Sequence, residues 1–359
     1  MPKPRILLDV LAFSPRDGGF ATLVTNLLET CSVLEEFEFV VAHHAQYGSL
    51  FRGLPLGTVP IEFPSRIRFF VSAFFMPQLV RKVRANAVHC EISAVPSLLG
   101  VPASVTVADL HFLMDPTAFG SGLRKRIMRF YWERYFCKSL RRAKLIKAIS
   151  RTTREDVRRL VSSSLSPFVI YPFVNPSSPP PSRKVWPGSG EPIRLLFLGS
   201  IVPRRNLPFL LRALPAIERT WELDIAGSHW WGFRDVEQRL GDSRIRCHGY
   251  VSNEERESLL LKCHILIAPS LYEGFGYPVV EAISRGCLAL TSDVSVFREY
   301  VPEQCRFDLS DPRSLACMVN QLDAQHYDRL RDLSRAQIKQ FSPVEHRAGH
   351  RAMFHRLLE

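Results

Sequence analysis

The sequence predicts an α/β protein of two doubly wound, parallel-sheet domains facing each other across a cleft, and three observations predict it. The chain has 359 residues, too many for one ordinary core and enough for two. Short, nearly continuous apolar runs alternate with amphipathic stretches, the pattern of parallel strands covered by helices on both faces. A stretch rich in Pro, Ser and Gly, NPSSPPPSRKVWPGSGEP at 175–192, interrupts the alternation, which then restarts.

Taken in order, the first half offers RILLDVL, FEFVVAHH, ASVTVAD, KLIKAIS and PFVIYPF as strands. Helical patterns lie between them: FATLVTNLLETC after Gly18-Gly19, and the basic stretch from Leu123 to Arg142. The second half offers IRLLFLGS, WELDIAG, RIRCHGYV, CHILIAPS, CLALTSD and CRFDLS as strands, separated by helices such as LPFLLRALPAIERT and NEERESLLLKC. This places a first domain at 1–175, a linker at 176–192 and a second domain at 193–342. A final helix follows at 343–359, expected to pack back on the first domain. In doubly wound sheets ligands bind at the carboxyl ends of the strands, near helix N-termini.

The net charge of +12 and the isoelectric point near 9.5 suggest an anionic partner: nucleic acid, an anionic membrane surface or a phosphorylated small molecule. The eight cysteines, Cys31, Cys90, Cys137, Cys247, Cys263, Cys287, Cys305 and Cys317, contain no C-x-x-C pair. That spacing gives neither a zinc site nor a compact disulfide framework and points to a reducing, cytoplasmic compartment. The basic, apolar start MPKPRILLDVLAF is interrupted by Asp9 and lacks a small-residue cleavage site, so it reads as a buried strand rather than a leader. No apolar run has the length of a membrane span.

The chemistry concentrates at SLYEGFGYPVVEA, residues 270–282. HILIAPS ends a buried strand, LYEGFGY forms the loop at its carboxyl end, and PVVEAISRG opens a helix with Pro278 in its first turn. Gly274 and Gly276 allow close backbone approach, and the helix start attracts anions. Glu273 in the loop and Glu281 about one turn into the helix can face one cavity. Either carboxylate alone reads as a surface or helix-dipole residue. Together with the glycines at a strand end they read as a site.

These residues, YEGFGYPVVEA, resemble the E-x7-E motif of retaining glycosyltransferases of the two-domain GT-B fold, group 1 or family 4. Four further segments agree in order: GSIVPRRNLPFLLRAL, AGSHWWGF, HGYVSNEE and LALTSDVSVFREYV. The resemblance is ordered from about Ile193 to Asp311 and weaker upstream. It implies that Glu273 lies at the donor-sugar hydroxyls and Glu281 at the ribose. It also implies that Gly274, Phe275, Gly276 and Tyr277 run along the donor sugar and phosphates. Arg204 and Arg205 take the place of the family's Arg-Lys pair at the diphosphate; arginine keeps the charge and replaces a point with a fork. Gly18 and Gly19 match the family's glycine pair before the first helix.

The family's H-D-L at a strand end becomes Ala108-Asp109-Leu110, followed by His111. Asp109 is kept, while His111 either replaces the lost histidine or is unrelated to the site. The loss of histidine at 108 motivates an alternative function, a non-catalytic nucleotide-sugar-binding subunit. A dehydrogenase is excluded by the absence of G-x-G-x-x-G after a strand. No His, Asp or Glu pattern has metal-ligand spacing, so neither metal nor cofactor is expected. The donor is read as a GDP- or UDP-linked sugar, and the acceptor as a carbohydrate or lipid-linked hydroxyl in surface polysaccharide or O-antigen assembly. The stretches 64–84 and 123–147 mix arginine and lysine with aromatics. They read equally as solvated amphipathic helices, with Ile127, Phe130, Tyr131, Arg134 and Tyr135 partly in the core, or as contacts to the inner membrane face. Nucleic acid is the disfavoured partner, since no segment resembles a known module.

Overall fold

A computed structural model describes residues 2–64, 71–115, 122–174, 184–228 and 241–359, with the side chains of Arg124 and Lys125 left out. Part of the expected linker (175–183), residues 65–70 of the first basic-aromatic stretch and the AGSHWWGF segment beyond Ser228 lie outside the described residues. The chain divides into two compact units, Met1–Phe173 with Phe341–Glu359, and Val174–Gln340.

The first unit is a seven-stranded, all-parallel sheet in the order β3-β2-β1-β4-β5-β6-β7. Its strands are β1 (Arg5–Asp9), β2 (Glu38–His44), β3 (Gly57–Ile61), β4 (Ala87–Cys90), β5 (Ala103–Val107), β6 (Leu145–Ala148) and β7 (Phe168–Val169). The strands β3 and β4 are absent from the sequence expectation, for physical reasons. Gly57 and Pro60 disguise β3, which tolerates them as an edge strand. The strand β4 is only four residues long and carries a histidine at its centre. Helices α1 (Gly19–Cys31), α2 (Ser72–Val83), α3 (His111–Met114), α4 (Leu123–Phe130), α5 (Cys137–Leu140) and α6 (Arg151–Asp156) connect the strands. A π-helical turn, Tyr131–Phe136, joins α4 to α5.

The second unit repeats the plan with six parallel strands in the order β10-β9-β8-β11-β12-β13. These are β8 (Ile193–Leu198), β9 (Trp221–Ala226), β10 (Ile245–Gly249), β11 (Ile265–Ala268), β12 (Leu288–Ser292) and β13 (Arg306–Phe307). Helix α7 (Leu207–Ala213) stops short of the expected span because Pro215 cannot continue it. Helices α8 (Asn253–Lys262), α9 (Tyr277–Ser284), α10 (Arg313–Asn320) and α11 (Ala324–Gln337) follow. Ser252 and Glu255 form a reciprocal capping box at the start of α8. In each unit the strand order reverses beside its first strand, at β1/β4 and at β8/β11. Loops from those strand ends diverge there and leave room for a ligand.

The last helix, α12 (Pro343–Leu358), belongs to the first unit. Ser342 caps it by accepting from the Glu345 amide, and Pro343 suits its first position. Its Met353, Phe354 and Leu357 are fully buried among Ile6, Leu8, Val24 and Phe39. A polar group is buried beneath the same helix. Lys147 of β6 lies 2.9 Å from the Glu91 carboxylate and 3.2 Å from His350 Nε2 of α12. His89 Nε2 lies 2.7 Å from Glu91 Oε2, and the Thr106 hydroxyl donates to the same oxygen. His346 Nδ1 meets Thr30 Oγ1 of α1 at 2.8 Å.

Candidate active site

The switch point of the second unit brings together residues far apart in sequence. The loop after β8 turns through Pro203–Arg205 and exits at Asn206 in the left-handed region, φ 53°, which asparagine tolerates. The loop after β11 carries Ser270 to Gly276. A main-chain bond from the Leu271 amide to the Arg204 carbonyl (2.7 Å) ties the two loops.

Glu273 is the meeting point. Its carboxylate is 4% exposed. Arg205 Nη1 approaches Oε1 at 2.5 Å, and Arg204 Nη1 approaches Oε2 at 3.7 Å. Ser270 Oγ donates to Oε1 at 2.9 Å, and Ser292 Oγ of β12 in turn donates to the Ser270 carbonyl at 2.5 Å. The Arg205 guanidinium lies over Gly199, where an added Cβ would come within 3.4 Å of Arg205 Cζ. Two arginines and one carboxylate leave a net positive charge at the strand end, in the manner of an anion site held by its own counter-ion.

Gly276 caps α9 in the left-handed region, φ 87°. A Cβ there would lie 2.6 Å from Phe297 Cε1 and 2.9 Å from Tyr300 Oη. The Tyr300 hydroxyl donates to the Phe275 carbonyl at 2.5 Å, and the Phe275 ring is buried between Tyr277 and Tyr300. Phe275 and Tyr277 therefore anchor the loop in the core with their rings. Gly276→Ala combines a left-handed penalty with overpacking and should destabilise the second unit by about 2–4 kcal/mol. Denaturant unfolding checks this, and a midpoint equal to that of the parent chain would contradict it.

Glu281 sits on the buried side of α9, 8% exposed, with Arg256 Nη1 of α8 3.3 Å from Oε1. Burial pushes its carboxyl above the usual range, partly offset by Arg256 and Arg285. Arg285 itself pairs with Glu257 at 2.7 Å, so two ion pairs fasten α8 to α9. Ser270, Ser292, Arg256 and Tyr300 are the supporting residues that sequence reading overlooks. Only their bonds to the two glutamates (Ser270, Arg256) or to the carbonyls of the loop (Ser292, Tyr300) mark them.

In the first unit, Gly18 forms the N-cap of α1 at φ 54° and Gly19 opens the helix. Asp109 and His111 follow β5. Asp109 Oδ1 accepts the His111 amide at 3.2 Å, and His111 Nε2 lies 3.8 Å from Asp115 Oδ2. The Ala108 carbonyl accepts the Thr153 hydroxyl at 3.3 Å. Tyr131 is buried and Tyr135 partly so, whereas Ile127 and Phe130 are exposed, which departs from the reading that placed them partly in the core. Among the described residues no group of three His, Cys, Asp or Glu side chains could hold a metal, and no helix is long and apolar enough to cross a membrane.

The model of the family described as Glycosyl transferases group 1 matches residues 192–324. O-antigen chain mannosyltransferase B of Escherichia coli is 30% identical over 237 residues, covering 59% of this chain and 60% of that protein's length. Among solved structures, a sucrose-phosphate synthase from Thermosynechococcus elongatus superimposes with a TM-score of 0.75 at 16% identity, covering 99% of both chains. HepE of Anabaena, solved with UDP and glucose, gives 0.74 at 14% identity, covering 99% of this chain and all of that one. The fold is thus that of the GT-B glycosyltransferases, and the match to group 1 lies in the second unit, the chain spanning about 60% of the length of the mannosyltransferase.

Proposed function

We propose that the protein is a retaining glycosyltransferase that moves a hexose from a nucleoside diphosphate sugar to a hydroxyl of a carbohydrate or lipid-linked acceptor, in O-antigen or related surface polysaccharide assembly. The observation that carries this reading is the Arg204–Arg205–Glu273 cluster at the switch point of the second unit, with the buried Glu281 on the helix that follows the same loop. Breaking the glycosidic bond leaves negative charge on the departing diphosphate. Arg204, Arg205 and the positive end of α9 are aimed to stabilise that charge, with no metal required. Glu273 orients the sugar as it passes through an oxocarbenium-like state, and Glu281 accepts from the ribose hydroxyls. Main chain from Gly274 to Tyr277 lines the sugar and phosphates.

Asp109 and His111 of the first unit are assigned to catalysis, and Gly18-Gly19 to the diphosphate, on the family resemblance. The O-antigen mannosyltransferase similarity favours mannose as the hexose, and the HepE complex keeps UDP beside GDP in the set of donor nucleotides. The acceptor is presented at an anionic membrane surface on the cytoplasmic side. Leu123, Ile127 and Phe130 form an exposed apolar stripe on α4 flanked on one side by Arg126 and Arg129, and Phe74 of α2 is 70% exposed.

The test is a panel of GDP-, UDP-, ADP- and dTDP-sugars with a lipid-diphosphate sugar acceptor in anionic vesicles, following free nucleoside diphosphate and the anomeric configuration of the product. Release from one donor, with retained configuration and at least a hundredfold loss in Glu273→Ala, is the expected result. Tight donor binding without release would instead establish the non-catalytic reading that Ala108 motivates. Inverted configuration would overturn retention.

A further inference from the structure

Two buried thiols and a lysine meet at the amino ends of β11 and β12, the opposite edge of the second sheet from Glu273. Cys263 closes α8 and Cys287 directly precedes β12; they are 3% and 0% exposed. The parallel register pairs Ile265 with Leu288, so the two cysteines are cross-strand neighbours offset by one residue. With strands about 4.8 Å apart and about 3.3 Å of rise, their Cα atoms lie about 6 Å apart, inside the range a disulfide spans. Their sulfurs are 2.9 Å apart. Lys184 Nζ lies 3.0 Å from Cys287 Sγ and donates to the Leu260 and Cys263 carbonyls, each at 2.5 Å.

A pair of buried cysteines usually serves as small apolar filling. The lysine argues otherwise. A half-buried ammonium is favoured beside a negative partner, and two helix-terminal carbonyls supply only partial charge. The third group it reaches is a sulfur, which supplies a full charge as thiolate. Burial raises the Cys287 thiol, but the hydrogen bond from Cys263 and the Lys184 and Arg285 cations outweigh it and bring it down to about 7. Burial and the neighbouring Cys287 push Cys263 up. The other groups facing the pair are Tyr327, whose hydroxyl donates to the His264 carbonyl, Asp224, and His264, which burial keeps neutral.

We propose that Cys263 and Cys287 form an oxidation site that closes to an intramolecular disulfide, with Lys184 holding Cys287 as the attacking thiolate. With a peroxide as oxidant, the Cys287 thiolate attacks one peroxide oxygen. The S–O bond forms, the O–O bond breaks, and the leaving hydroxide takes a proton, giving a sulfenic acid and water. Cys263 sulfur then attacks Cys287 sulfur. The S–S bond forms, the S–O bond breaks, and the departing hydroxide leaves with the Cys263 proton as water. Two thiols and one hydrogen peroxide give one disulfide and two waters. The crosslink fastens the end of α8, whose Arg256 touches Glu281, to the sheet. It is independent of the proposed transferase activity.

The experiment treats the reduced protein with hydrogen peroxide, quenches with an alkylating reagent and maps peptides by mass. Expected are a loss of 2 Da, a Cys263–Cys287 linked peptide, and a rise in Tm of several degrees, as closing a loop of this length gives. Lys184→Met keeps both thiols and should form the disulfide at least tenfold more slowly at pH 7, the gap closing toward pH 10 as its thiols ionise unaided. Cys263→Ser should stop at the sulfenic acid, 16 Da heavier. Modification confined to the exposed Cys247 and Cys317 would overturn the proposal, as would a Lys184→Met rate equal to that of the parent chain.

Discussion

Truncating Arg205 to alanine is expected to lower donor turnover by about 10²–10³-fold and to cost the second unit about 3 kcal/mol of stability. Both effects have one origin. Glu273 is buried, and its short contact is to Arg205; Arg204 stands more than an ångström farther away and Ser270 supplies a single hydroxyl. Removing the guanidinium strands a carboxylate in a site where water cannot replace the lost partner, which sets the stability cost. In the proposed function the same guanidinium is the donor to the leaving diphosphate, which sets the kinetic cost. Arg205→Lys separates the two. It restores the charge but not the fork, so most of the stability should return while turnover stays about tenfold down. Denaturant unfolding and initial rates on the preferred donor measure the pair. If Arg205→Ala unfolds more easily yet turns over at the parent rate, Arg205 is only a counter-ion for Glu273 and the diphosphate assignment fails.

The fold was readable where strands are buried on both faces, because ILL of β1 and ILIA of β11 carry no polar residue. It was unreadable where a polar residue is buried with its own partner. His89 sits in the middle of β4 and hides that strand, since nothing local shows that Ser104 and Glu91 await it on either side. The lysine inside KLIKAIS is the converse case. Lys147 was read through as part of a strand, yet a charge in a run of that kind is itself a signal that a buried anion lies nearby. At the site, the spacing of Glu273 and Glu281 was legible because both lie on one loop and helix. The pairing of Glu273 with Arg205 was not, because only the β8–β11 adjacency brings those loops together. The tie of α8 to α9 through Arg256 and Glu257 depends likewise on packing rather than on spacing. Local chemistry is written locally, whereas counter-ions are chosen by topology.

Lys147→Met should destabilise the first unit by about 3–5 kcal/mol at pH 7 and reverse the way its stability responds to acid. Burial alone raises the Glu91 carboxyl; the Lys147 ammonium, with bonds from His89 and Thr106, overcomes this and holds it down to about 2. A carboxyl depressed in the folded state contributes stability that is complete above its unfolded value of 4.5 and is lost as pH falls from there toward 2. Without the ammonium, burial dominates and the Glu91 carboxyl rises above 4.5. Folding then takes up a proton, and the variant should gain stability as pH drops through that raised value. The two unfolding curves therefore converge on acidification from pH 7 to about 4. His89, His346 and His350 are kept neutral chiefly by burial and further by the Lys147 charge, so without Lys147 they are less depressed, cost the variant less stability in acid and add to the convergence. The loss should be felt first in α12, whose His350 Nε2 loses its donor, and amide exchange in Pro343–Leu358 should accelerate before that of β1. Glu91→Gln in the Lys147→Met background removes the stranded charge and should recover much of the loss. Parallel pH profiles for the single variant and the parent chain would show that Glu91 is not held ionised by Lys147.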